Sequence, residues 1–441
     1  MAWYLALAFM IGAICVLMTL GLPIAFAFFL TNLIGAYIFL GGTPGIGAFI
    51  QGSMSAISNF NLAPIPFFLL IGEILLRSGI AYKAVDAIDQ AIRRVPGRLS
   101  VVAVTGGTVF SALSGSTIAT TAMLGQALVP DMLKRGYHPT MTVGPIIAIG
   151  GVDMLIPPSN LAVIFATIAS SISIMKVSVA ELLIAGTLPG LIMSAAFIIY
   201  IVVRCWWNPR LAPPGGTGSA VRTGSRWQPL VIHILPLLFI FTVMMGSMYA
   251  GWASPSESAA AGCLATVVLA LSYRALTFSI LLDALRATVM VTTMLFLIIA
   301  ASTTFAQILA ISGAVDGALA KLAEFQLTPM ATVISMVIIL IIMGCFMEQV
   351  AMMLLTLPFF VPVANSLNLD MLWLSVVLLI ALQVGLMHPP FGLLLFVMRA
   401  VAPPEITLKQ IWISTIPFVV IVLGVLALTI YVPWIATGLT R

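Results

Sequence analysis

The chain has 441 residues, of which 62% are hydrophobic and 7% charged, with a net charge of +5. A soluble domain carries about 25% charged residues, so the deficit excludes a water-soluble fold and puts most of the length in lipid or in protein surrounded by lipid. No run of Lys and Arg interleaves with aromatics, which argues against nucleic acid as a partner. The four cysteines, Cys15, Cys205, Cys263 and Cys345, have neither metal nor redox spacing.

A helical span needs about 20 apolar residues, so this length accommodates roughly ten. The N-terminus lacks a basic region before its first apolar run, which is therefore expected to remain as a span. Two spans are expected at residues 3–20 and 22–40, broken by Gly21 and Pro23, then a loop to residue 61 and a third span over 64–76. Residues 77–98 carry five basic side chains, Arg77, Lys83, Arg93, Arg94 and Arg98, against Asp86 and Asp89. That pattern suits a surface helix on the cytoplasmic side.

Residues 99–130 are apolar at both ends and small and polar in the middle, at Ser111 and Ser114–Thr117. Lys134 and Arg135 follow. A single crossing would put two basic loops on opposite sides of the membrane, whereas a re-entrant hairpin keeps both in the cytoplasm, as positive charge prefers. Residues 140–175 form a span interrupted by Pro157-Pro158-Ser159-Asn160, where two missing backbone donors break the helix. A span at 182–203 closes a first unit, 1–205. Residues 206–228, rich in Pro, Gly, Ser and Thr, read as a cytoplasmic linker.

The second unit, 229–441, repeats the plan: spans at 230–248, 259–271 and 288–310, a hairpin at 330–363 with the polar centre Gly344–Gln349, and a span at 372–401 broken by His388-Pro389-Pro390-Phe391-Gly392. A last span covers 416–431. Each unit has an odd number of crossings, so the second is expected upside down. The fold class is then an all-α polytopic membrane protein, an inverted repeat of five spans each, with two re-entrant hairpins and two broken helices. Such repeats mark secondary transporters, with the site at the repeat interface.

A broken helix exposes unpaired carbonyls and N–H groups. Carbonyls and hydroxyls suit a hard cation, and half-helix N-termini suit a carboxylate. The expected substrate contacts are Ser116, Thr117, Ser159, Asn160, Glu348 and His388. The expected Na+ ligands are Ser114, Gly115, Ser116, Gly151, Pro157, Gly344, Met347, Glu348, Gly385 and His388. Glu73 and Glu257 are expected to pair with Lys or Arg or with backbone donors between domains, and Ser254 and Ser256 to cap a helix. Asp153 is expected to cap a turn or to face a water-filled cavity, with a direct ligand role as the alternative. With three histidines and no His-Glu-x-x-His, Gly-x-Ser-x-Gly or Walker A element, the sequence argues against an enzyme or ATPase.

Ser114-Gly-Ser116, Lys134-Arg-Gly-Tyr137, Ile156-Pro-Pro-Ser159, Ala185-Gly-Thr-Leu-Pro-Gly190, Ala253-Ser-Pro-Ser-Glu-Ser-Ala-Ala260 and Pro389-Pro-Phe-Gly392, in this order, resemble the large membrane subunit of tripartite ATP-independent periplasmic (TRAP) transporters, the DctM family. The resemblance covers nearly the whole chain. It implies an elevator-type carrier of the bacterial inner membrane, Na+-coupled import of an organic anion, a small four-helix membrane subunit (Q type) and a periplasmic substrate-binding protein (P type). Glu348 stands where that family commonly has Asp, His388 where it often has Thr, and Asp153 where a small residue is common. A stand-alone symporter or channel is the competing reading.

Overall fold

The computed structural model describes residues 2–92, 95–114, 116–173, 176–213 and 227–440; of residues 111–114, 227, 229, 322 and 323 only the backbone is described. The described residues are helical apart from short connections. In the first half, α1 (Trp3–Thr19) and α2 (Ile24–Phe39) are separated at Gly21 and Pro23. Next come α3 (Thr43–Ile57), α4 (Pro64–Arg77) and α5 (Ile80–Ala91), the last begun by Gly79 in the left-handed conformation. The expected loop to residue 61 is thus mostly helix. Pro44 lies in the first turn of α3, and Ile46, Phe49, Ile50 and Met54 recur at helical spacing; Phe49 is buried against neighbouring helices, while Ile50 and Met54 are exposed. The glycines and serines that suggested a loop lie among those apolar positions.

The stretch expected as a hairpin forms α6 (Arg98–Ser114) and α7 (Thr117–Lys134), which pack against each other. The first broken span forms α8 (Pro139–Gly150), a 3-10 turn at Val152–Met154, and α9 (Asn160–Ile172). It is followed by α10 (Val179–Trp207), capped by Ser178. The linker expected at 206–228 is not free at its start. Residues 206 and 207 finish α10, and a 3-10 turn at Pro209–Leu211 accepts the His138 N–H on the Leu211 carbonyl at 2.9 Å. Residues 214–226 lie outside the described residues.

The second half contains α11 (Trp227–His233), α12 (Leu235–Tyr249), α13 (Pro255–Ser272), α14 (Phe278–Ile311), α15 (Ala314–Glu324), α16 (Pro329–Met343), α17 (Gln349–Ser366), α18 (Met371–Met387), α19 (Leu393–Val401), α20 (Leu408–Tyr431) and α21 (Trp434–Thr437). Seven helices among the described residues are long and apolar enough to cross a membrane. The chain is therefore a polytopic membrane protein. Helix starts follow local capping chemistry. Ser254 and Glu257 form a capping box on α13, Thr407 and Gln410 one on α20, and the Asp370 carboxylate takes the Leu372 and Trp373 N–H groups of α18. Ser254 caps as expected, but Ser256 sits inside α13 and donates to the Phe60 carbonyl at 3.4 Å. Glu73 and Glu257 take an Arg and a backbone donor as expected, but locally and not between domains. Glu73 binds Arg77 one turn along its own helix, and Glu257 accepts from the Ser254 backbone.

Elements of the two halves recur at one constant spacing. α7 and α17 each have 18 residues and start 232 residues apart, and α8 and α18 start at the same offset. Contacts recur with them: α6 on α8 and α16 on α18, α7 on α19 and α17 on α9, α8 on α20 and α18 on α10. In each half the returning helix of the hairpin thus packs on the broken helix of the other half. α18 is buried along almost its whole length, as an all-apolar helix must be. A second group, α2, α3, α4, α13 and α14, packs together beside this one. There Asn32 of α2 donates to the Ala301 carbonyl and Thr304 hydroxyl of α14, at 2.6 and 2.9 Å. Trp206, Trp207, Trp252 and Trp434 stand exposed at helix ends, where an interfacial belt belongs.

Candidate functional site

Four helix ends carry the residues expected at the site. Ser116 is extended, and its hydroxyl accepts the Ala119 N–H at 3.4 Å, so it is the N-cap of α7. Of the residues before it, Gly115 and the Ser114 side chain lie outside the described residues. At the first broken helix the Pro157-Pro158 pair cannot donate, and Ser159 reconnects the chain. Its hydroxyl donates to the Met154 carbonyl at 3.0 Å and accepts from the Ala162 N–H at 3.2 Å, starting α9 at the buried Asn160. In the second half Glu348 is the half-buried N-cap residue of α17, and His388 ends α18.

The centre of the arrangement is a polar chain across the halves. Thr117, the first residue of α7, donates its hydroxyl to the Asp153 carboxylate, with oxygens at 2.8 and 2.9 Å. Gln349, the first residue of α17, donates its side-chain N–H to the Thr117 hydroxyl at 3.1 Å. The two residues are 232 positions apart, the spacing that also separates Pro157 from Pro389. Thr117 and Gln349 therefore occupy corresponding positions of the two halves and touch each other.

Asp153 is 1% exposed. None of the ion pairs among the described residues includes it. A buried carboxylate without a cationic partner is costly, and a hydroxyl offsets only part of that cost. Such a carboxylate is stabilised either by a proton or by a nearby cation.

Backbones approach closely at the end of α16. A Cβ on Gly344 would lie 2.3 Å from the Gly385 Cα, so the end of α16 sits directly on α18. Gly151 closes α8 against α18, where a Cβ would lie 2.7 Å from the Gln383 Cγ. Met347 is half-buried beside Glu348, and the His388 ring nitrogen Nδ1 lies 3.9 Å from the Cys345 sulfur. Thr117 and Asp153 thus come together with Gln349, Gly151 with Gln383, and Gly344 with Gly385. No hydrogen bond recorded among the described residues ties Glu348 or His388 to Thr117 or Asp153. Gln349 closes the expected polar centre Gly344–Gln349 but was not among the expected ligands, and Gln383 and Thr121 were not singled out. Their signal was an amide or hydroxyl inside an otherwise apolar run.

Residues 11–435 match the family described as "Tripartite ATP-independent periplasmic transporter, DctM component". The chain is 30% identical over 387 residues to the C4-dicarboxylate TRAP transporter large permease protein DctM of Pseudomonas aeruginosa, covering 86% of each. It is 27% identical to the ectoine/5-hydroxyectoine TRAP transporter large permease protein UehC of Ruegeria pomeroyi, covering 96% of this chain and 95% of the relative. Among solved structures, the Alcanivorax borkumensis YdaH transporter superposes with a TM-score of 0.64 at 14% identity, over 90% of each chain, a likeness of fold alone. These relatives are permeases and not enzymes, and the chain belongs to the DctM component family of tripartite ATP-independent periplasmic transporters.

Proposed function

We propose that this permease imports a small organic anion across the bacterial inner membrane, coupled to Na+. A periplasmic binding protein delivers the cargo, and a small four-helix membrane subunit stands beside the permease. The cargo class follows the carboxylate shared by C4-dicarboxylates and ectoine, the compounds named for the two relatives.

The observation that carries the mechanism is the Gln349–Thr117–Asp153 chain. It joins the tips of both hairpins to a broken helix at equivalent positions of an inverted repeat. In this reading α6–α9 and α16–α19 form a moving body, and α1–α4 with α12–α14 form the fixed frame. The matched cross-contacts of α7 with α19 and α17 with α9 support one rigid moving unit. Na+ at the helix ends around Ser114–Ser116, Gly151 and Pro157, and around Gly344–Glu348 and Gly385, offsets carbonyl and carboxylate charge. An anion then docks against Ser116, Thr117, Ser159, Asn160, Glu348 and His388, and the loaded body slides.

The test is uptake into proteoliposomes with inward Na+, inward choline, or no gradient, each with and without the cognate binding protein. Uptake that needs both Na+ and the binding protein is expected. Uptake without the binding protein would favour a stand-alone symporter, and gradient-insensitive flux a channel.

A further inference from the structure

α15 and the second hairpin leave a cavity between them. It has a volume of about 200 Å³ and is lined from three helices, by Ala318 of α15, Met336 and Ile339 of α16, and Phe360 of α17 among others. The hydroxyls on its wall are already satisfied. Thr332 donates to the Thr328 carbonyl at 3.2 Å, and Ser335 to the Ala331 carbonyl at 2.8 Å. An apolar cavity of about 150 Å³ takes up a six-carbon ring and stays free of water. This larger one therefore suits hydrocarbon, not an organic anion.

The first half closes the matching gap. There α5 precedes its hairpin as α15 precedes the second, and α5 packs on α6. A Cβ on Gly106 would lie 3.2 Å from the Val85 Cγ2, and the cavity at this joint is about 10 Å³. α15 is drawn elsewhere. It packs on α1, where a Cβ on Gly317 would lie 2.1 Å from the Trp3 indole, and it reaches the hairpin at α17.

The cavity is continuous with the lipid-facing surface of the protein. Leu327 and Ile339, which line it, are exposed, and so are Met330, Ile334 and Ile338 beside them. α16 starts at Pro329 and the cavity extends to Ile339, about 15 Å along the helix. That is half of the roughly 30 Å hydrocarbon core, the depth that one acyl chain reaches from its own leaflet.

We propose that the cavity between α15 and the hairpin α16–α17 binds one acyl chain of a bilayer phospholipid, which enters from the leaflet adjoining the start of α16. The chain fills in this half the place that Val85 fills in the other, and it holds α15 off the hairpin. This site goes beyond the transport reaction proposed above and does not rest on it.

The experiment uses the full-length permease, with any membrane subunit that accompanies it, in phosphatidylcholine nanodiscs. A fraction of the lipid is phosphatidylcholine with a photoactivatable diazirine in the middle of one acyl chain. Adducts are located by peptide mass spectrometry after irradiation. Val420 on α20 is 62% exposed, whereas Met336 and Phe360 are 3% and 7% exposed and meet an acyl chain only through the cavity. Wild type is expected to label at Met336 and Phe360 as well as at Val420. Ala318→Phe and Ser335→Leu fill the cavity, so each is expected to lose the Met336 and Phe360 adducts and keep those at Val420. Thermal unfolding of each variant confirms that it is folded. Wild-type labelling at Val420 without Met336 or Phe360 would overturn the site, whether the gap is shut or covered by the accompanying subunit, and this comparison needs no variant. Adducts at Met336 and Phe360 that survive both folded variants would overturn it as well.

Discussion

Thr117 has one hydroxyl proton, and its neighbours decide where it goes. Gln349 donates to the oxygen, so the proton points to Asp153. Removing the hydroxyl alone leaves a buried carboxylate and a buried amide short of partners, at about 1–3 kcal/mol or more. Thr117→Val is therefore expected to lower the unfolding temperature and to cut uptake at least about ten-fold. Replacing Asp153 as well removes the group that was stranded. Thr117→Val with Asp153→Leu should be less destabilised than the two single variants together, a non-additivity read from a double-mutant cycle of thermal unfolding. Additive losses would show that the two residues do not act as a pair. The sequence singled out Thr117 and Asp153 separately but could not join them. They are 36 residues apart, and Gln349 is 232 from Thr117, so their meeting depends on how whole helices cross.

At the scale of elements, breaks were easier to read than contacts. Prolines, caps and glycines act within a few residues, so the interruptions at Pro157-Pro158 and Pro389-Pro390, and the helix starts after Ser116 and Glu348, were visible locally. α3 was missed because its glycines and serines imitate a loop, while the apolar face that makes it a helix is completed by other helices. The Gly344–Gly385 contact was likewise hidden: both glycines were expected at the site, but nothing local pairs two positions 41 residues apart. In a membrane, helices associate through close packing rather than hydrophobic drive, and small residues permit it. Gly344→Ala places a methyl where the neighbouring backbone lies, 2.3 Å from the Gly385 Cα, so α16 or α18 must shift. A loss of at least about 1–3 kcal/mol of stability is expected, as for other overpacked positions. Gly424→Ala in α20 meets nothing within 4 Å and removes a flexible residue from a helix interior. It should be neutral or stabilise by about 0.5–1 kcal/mol. Denaturation of both variants in one detergent checks the contrast, and equal effects would mean that the glycine contact is not tight.

For the whole molecule, the proposed inversion rests on matched offsets and on charge. Arg93, Arg94, Arg98, Lys134 and Arg135 lie beside the ends of the first hairpin. The ends of the second have Lys321 against Asp316, Glu324 and Asp370. Positive residues stay in the cytoplasm, so this asymmetry puts the two hairpin mouths on opposite faces. Lys134 ends α7 and Ser366 ends α17, and both are exposed at corresponding positions. With Cys15, Cys205, Cys263 and Cys345 replaced, Lys134→Cys should react with a membrane-impermeant maleimide only from the cytoplasm, and Ser366→Cys only from the periplasm. Labelling of both from one face would leave two parallel copies, whose sites could not alternate between the two sides by one sliding motion. If each cysteine reacts from its own face, the ends of α7 and α17 lie on opposite sides of the bilayer. The Thr117–Gln349 contact then lies where two inverted halves must meet, and a single rigid displacement can carry the site from one mouth toward the other.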